Sequence, residues 1–147
     1  MYKKILVPLD GSELAEAVLP HARALAKSEG AEIVLLRVAA TPDESLFSRN
    51  PAEGSNIAKM MEEEAQDYMQ TEVSKLKKKG AKVTGLTRDG LIPDTILDVA
   101  KETHADVIAM STHGRSGIQR WLMGSVAERV VHFSPIPVML IHPLSKN

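Results

Sequence analysis

Apolar runs alternate with amphipathic stretches along the whole chain. Residues 5–9, Ile-Leu-Val-Pro-Leu, form a short continuous run of the kind found in a parallel strand buried on both faces. Leu14, Val18, Ala22 and Leu25 then recur about one helical turn apart, and Gly30 closes the pattern. Pro20 lies inside this stretch and predicts a kink. A second buried-type strand is predicted over residues 33–38. Residues 41–56 collect Pro42, Ser45, Ser48, Asn50, Pro51, Gly54, Ser55 and Asn56, a composition that predicts a flexible loop.

A long helix should follow, running to about Lys79. Its apolar stripe is Ile57, Met61, Ala65, Tyr68, Val73 and Leu76. Glu62, Glu63 and Glu64 sit toward its start and Lys75, Lys77, Lys78 and Lys79 toward its end, the order the helix dipole favours. Residues 83–87 alternate apolar with polar, as an edge strand does. Ile92, Ile96, Val99 and Ala100 mark a further helix, residues 107–110 a buried strand, residues 125–133 a last helix and residues 136–141 a last strand. The order β-α-β-α-β-α-β-α-β, with short connections, predicts one α/β domain over residues 1–147. Right-handed crossovers would give a doubly wound, Rossmann-like parallel sheet of five strands with helices on both faces.

The composition narrows the function classes. The chain has 147 residues, is 44% hydrophobic, and carries 18 basic against 19 acidic residues for a formal charge of -1. That balance lacks the basic excess of a nucleic-acid binder. The absence of cysteine removes disulfides, thiol catalysis and cysteine-bound zinc. No apolar stretch approaches the roughly 20 residues of a membrane helix. The expectation is a cytoplasmic protein with neither nucleic acid nor membrane as partner.

In a doubly wound sheet, ligands bind beyond the carboxyl ends of the strands, where the strand order reverses. Two loops leave such ends: Pro8-Leu9-Asp10-Gly11-Ser12, and the run from Ser111 through Thr112, His113 and Gly114 to Arg115 and beyond. Neither GxGxxG after the first strand nor GxxxxGK[ST] is present. The second loop still has the parts of an anion site. Gly114, Gly117 and Gly124 allow close backbone approach. Gly124-Ser125 reads as a helix start, with Ser125 as N-cap and Glu128 completing a capping box. Free N–H groups at such a start attract anions, and Arg115 and Arg120 add charge. His113 reads as a residue that orients backbone, while His21, His104, His132 and His142 read as surface or helix-end residues. Asp10 has a plainer reading as cap of the first helix with Glu13.

The stretch Ser111-x2-Gly114-x9-Gly124-Ser125, the opening KKILVPLDGSE, the run ADVIAMSTHGRSG and the closing SPIPVMLIH together resemble the universal stress protein family. The family signature is G-x2-G-x9-G-[S/T], and Ser111 stands at its first glycine. The resemblance implies strand order 3-2-1-4-5 and ATP as cofactor, with Mg²⁺ or Mn²⁺. It places Asp10 toward the ribose or the metal, and Pro8 and Leu9 beside the adenine. Val38 would meet the base through its backbone and Met110 would pack near it. Ser111, His113, Gly114, Arg115, Gly124, Ser125 and Val126 would surround the phosphates. It also implies a homodimer paired through the last strand, at Val138, Met139, Leu140 and Ile141. Three readings follow: a nucleotide-binding sensor acting on an unknown protein partner in stress response, a slow Mg-dependent ATPase, and a nucleotide-free dimeric interaction protein.

Overall fold

The structure, a computed structural model, describes residues 1–39, 44–113 and 123–143, with nothing stated for the side chains of residues 44, 46 and 47. Five parallel strands form one sheet in the order β3-β2-β1-β4-β5. They are β1 (Lys4–Leu9), β2 (Glu32–Ala39), β3 (Val83–Asp89), β4 (Val107–Ser111) and β5 (Val138–Ile141). The helices are α1 (Glu13–Glu16), α2 (Leu19–Glu29), α3 (Glu44–Arg49), α4 (Pro51–Lys78), α5 (Ile92–Glu102) and α6 (Ser125–Phe133). The predicted fold class and strand order are those observed.

Alternation along the strands builds two cores. Ile5, Val7 and Leu9 of β1 join Ile33, Leu35, Val107 and Ala109 on the face covered by α1, α2 and α4. Leu6 joins Val34, Leu36, Val38, Ile108 and Met110 against Ile96, Val99, Ala127 and Val130 of α5 and α6. Both faces of the central strands are therefore apolar, which is why their sequences read as unbroken hydrophobic runs.

Three local expectations are corrected. Residues 41–56 are not one loop: α3 occupies 44–49 and α4 begins at Pro51. The Asn-Pro pair that suggests a turn is a helix start. Asn50 caps α4 by accepting the Glu53 N–H at 3.2 Å, and Pro51 takes the first helical position, where its missing N–H costs nothing. Pro20 does interrupt its segment, but as a break between two helices, and it stands in the first turn of α2. The last strand is shorter than predicted, since residues 134–137 turn back on the Ser134 hydroxyl.

The central strand carries a proline, and this shapes the site. The Asp106 N–H donates to Lys4 C=O at 2.9 Å, so the even residues of β1 turn their backbone toward β4. Pro8 is the next even residue after Leu6 and has no N–H to donate. The β1–β4 ladder indeed ends at Leu6–Ile108, whereas β1 pairs with β2 through Leu9. The two strands on either side of the order reversal are thus not paired with each other at their carboxyl ends.

Candidate functional site

A cleft of about 280 Å³ opens between the carboxyl ends of β1 and β4. One wall is Pro8, Leu9 and Asp10 at the end of β1, with Ala15 of α1; Val38 stands at the end of β2. The opposite wall is Met110, Ser111, Thr112 and His113 at the end of β4, with Gly124, Ser125, Val126 and Ala127 at the start of α6. Ile92 and Ile96 of α5 complete the lining. Ten of the twelve residues singled out for the nucleotide line this one cleft: Pro8, Leu9, Asp10, Val38, Met110, Ser111, His113, Gly124, Ser125 and Val126. The other two, Gly114 and Arg115, lie outside the described residues. Ala15, Ile92, Ile96, Thr112 and Ala127 also line it. Ile92 and Ile96 show in the sequence only as a helix stripe, and nothing in their spacing separates a core position from a cleft wall.

The start of α6 differs from its reading as a capping box. Gly124, in extended backbone, is the N-cap, and Ser125 is the first helical residue. Among the described residues no side chain caps the helix. Glu128 donates its N–H to Gly124 C=O at 2.9 Å, so it belongs to the helical ladder and not to a box. The consequence is chemical. The N–H groups of Ser125, Val126 and Ala127 have no acceptor within the helix, and they belong to residues on the cleft wall. None of the described lining residues is lysine or arginine, so the positive character of the described wall comes from this helix end.

Gly124 is held against β4. Its N–H donates to Thr112 C=O at 2.8 Å, and a Cβ added there would stand 2.8 Å from the same oxygen. Only a glycine allows the helix start to sit this close to the strand end.

Asp10 shapes the facing loop. Its Oδ1 accepts the Ser12 N–H at 2.9 Å and the Ser12 hydroxyl at 2.5 Å, and Ser12 Oγ in turn accepts the Ala15 N–H at 3.1 Å. Ser12 therefore caps α1, and Asp10 supports it through an Asx-type turn instead of capping the helix itself. On the other wall, Ser111 Oγ is buried with no hydrogen-bond partner among the described residues, and Thr112 and His113 are also buried. Thr112 Oγ1 lies 3.1 Å from His113 Nδ1 and 3.3 Å from His142 Nδ1. No group of three potential metal ligands from His, Cys, Asp and Glu occurs among the described residues.

The residues expected to pair across a dimer, Val138 to Ile141, form β5 at one edge of the sheet, half-buried within the chain. No helix among the described residues is long and apolar enough to cross a membrane.

Known proteins share this architecture. The Universal stress protein family profile matches residues 1–142. Universal stress protein MJ0531 of Methanocaldococcus jannaschii is 35% identical over 149 residues, covering 100% of this chain and 86% of that one. The solved structure of hypothetical protein MJ0577, from the same organism, superposes with a TM-score of 0.86 at 31% identity over 99% of each chain. The universal stress protein from Archaeoglobus fulgidus, solved in complex with dAMP, superposes with a TM-score of 0.67 at 26% identity, covering 95% of this chain and 98% of that one. The chain belongs to the universal stress protein family.

Proposed function

We propose that the cleft binds an adenine nucleotide, ATP, and that the protein works as a dimeric nucleotide-dependent sensor in stress response. The observation that carries this reading is the uncapped start of α6 on the wall of a largely apolar cleft. An apolar slot suits the flat base, and free backbone N–H groups suit phosphate oxygens. The buried Ser111 hydroxyl on the same wall, unpartnered among the described residues, fits a further polar contact. A cleft of about 280 Å³ is near the lower bound of small-molecule sites, roughly 300–1,000 Å³. The dAMP complex of the Archaeoglobus relative supports adenine as the base.

In this reading Pro8, Leu9, Val38 and Met110 hold the base and Asp10 faces the ribose. Ser111, His113, Gly124, Ser125 and Val126 take the phosphates, together with Gly114 and Arg115. Mg²⁺ or Mn²⁺ would travel on the phosphates, with Asp10 as the nearby carboxylate, because the described residues form no ligand cluster of their own. Bound nucleotide would alter the surface offered to a protein partner. The open edge of β5 would pair with a second copy across a two-fold axis. The protein would act in the cytoplasm.

Isothermal titration of the full chain with ATP, beside extraction of any adenine nucleotide that copurifies, tests the reading. Saturable binding of ATP in preference to GTP is expected. No heat and no displaced nucleotide at millimolar ATP would refute it.

A further inference from the structure

Strand pairing puts an exposed histidine next to a buried one. Thr112 donates its N–H to Ile141 C=O at 3.0 Å, continuing the β4–β5 register in which Ser111 faces Ile141. His142 follows directly and lies beside Thr112. The result is a line of three side chains, His142–Thr112–His113, in which both Nδ1 atoms converge on one hydroxyl at 3.3 and 3.1 Å. Thr112 is 2% exposed and His113 9%, while His142 is open to solvent. His113 and Thr112 line the cleft; His142 does not.

Proton counting restricts this line. A hydroxyl has one proton to donate, so it can bond to only one bare Nδ1 and must accept from the other. The two ring nitrogens are the only partners of this hydroxyl among the described residues, so its own proton goes to one of them: that Nδ1 is bare and the other is protonated. The proton belongs on His142, whose ring is open to solvent, so that water satisfies its other nitrogen in either tautomer. We propose that His142 is a positioning residue that, through Thr112, holds His113 in its neutral Nε2–H tautomer, so that His113 offers a hydrogen-bond donor to an oxyanion in the cleft. The chain of bonds is His142 Nδ1–H to Thr112 Oγ1, then Thr112 Oγ1–H to His113 Nδ1. The opposite tautomer would give His113 a bare Nε2, which repels a phosphate oxygen. The oxyanion is a phosphate of the ligand, so this second step rests on the nucleotide reading above, whereas the tautomer itself does not.

Nitrogen-edited NMR of the ligand-free full chain reads the His113 tautomer, and titration reads ATP affinity. In the wild type His113 should be the Nε2–H form. His142→Asn keeps an amide N–H in the place of Nδ1 and should preserve both tautomer and affinity. His142→Ala, an exposed change, and Thr112→Val, which keeps the buried shape, should both release His113 into a mixture of tautomers. ATP affinity should then fall about tenfold, the loss of one hydrogen bond to a charged group. An Nδ1–H form of His113 in the wild type, or an unchanged His113 spectrum in His142→Ala, would overturn the relay. Should the wild type bind no ATP at all, the nucleotide reading fails, and the ring spectra alone then decide the relay.

Discussion

Replacing Gly124 by alanine tests how the start of α6 is positioned. The backbone there, φ -62° and ψ 154°, is open to any residue, so the effect is one of space and not of backbone strain. The new Cβ would stand 2.8 Å from Thr112 C=O and 3.7 Å from His113 Cα. Ordinary contact starts at 3.4 Å, so the helix start or the strand end must yield by roughly 0.6 Å. The atom in the way is backbone, held in turn by the Gly124 N–H at 2.8 Å, so both the clash and the bond resist. Overpacking of this kind costs about 1–3 kcal/mol, or roughly 2–12 °C in a domain of this size. The same displacement carries the Ser125 and Val126 N–H groups off their line. Losing one bond to a phosphate should weaken ATP binding by about tenfold or more. Thermal unfolding and calorimetric titration read the two effects. Gly30→Ala is the control: its φ of 66° makes alanine strained, yet nothing lies within 4 Å. It should lose about 1 kcal/mol and keep its affinity. Gly124→Ala with wild-type affinity would refute the proposal that this close contact aims the helix start at the ligand.

Other perturbations probe the rest of the molecule. Burial first, and the Glu72 carboxylate second, raise the Glu16 carboxyl above its ordinary range. Such a group stabilises the fold below its unfolded-state pKa and loses that contribution as pH rises through the folded one. Glu16→Gln should therefore melt slightly higher than wild type at neutral pH, with the gain shrinking toward about pH 4; an equal gain at both pH values would contradict the assignment. Arg37 is buried on β2, bonded to the half-exposed Glu64 at 2.9 Å, with Nη1 unpartnered among the described residues and its guanidinium 5.2 Å from the Tyr68 ring. Arg37→Met, which removes a desolvated charge and keeps apolar volume, should hold stability within about 1 kcal/mol of wild type or raise it; a loss of several kcal/mol in urea unfolding would show that the pair is needed. Ile108 and Thr112 donate to Pro137 and Ile141 C=O, so Leu140, of opposite parity, turns its N–H away from β4. Leu140→Pro should then abolish edge pairing between copies and give a monomer in sedimentation, and a persistent dimer would place the interface elsewhere.

The features legible in the sequence are those governed by periodicity. Runs such as Ile5–Leu9 and Ile33–Val38 are apolar at every position because both faces are covered, and that pattern needs no structure to be seen. Gly124-Ser125 marks a helix start by composition alone. The details that were not legible depend on which of two chemically equal partners wins. Ser12 and Asp10 are both competent caps, and only the turn at Gly11 decides that Ser12 caps while Asp10 braces it. Ser125 has the side chain of an N-cap, yet the Gly124–Thr112 bond draws the helix start one residue earlier. Asn50-Pro51 is spelled alike in a turn and in a helix start. His142 is separated from His113 by 28 intervening residues, and only the β4–β5 register brings their rings to one hydroxyl.

Pro8 joins the fold to the site more directly than any motif residue. In a central strand, proline removes a ladder bond, and strands without that penalty are easily built from valine or isoleucine. Here the missing donor falls on the side facing β4, at the point where the strand order reverses and a crevice is needed. The same residue lines the cleft that results. Stability and binding therefore pull in opposite directions at this position. Pro8→Val would restore an N–H opposite Ala109 C=O, extend the β1–β4 ladder and draw Leu9 and Asp10 toward Met110 and Ser111. The protein should gain about 0.5–1.5 kcal/mol from the added bond and lose ATP affinity as the cleft narrows, the trade expected when a binding site is built from an interrupted element. A variant that is more stable and binds as before would mean that the strands are held apart by something other than the missing hydrogen bond, and the crevice would then need another cause.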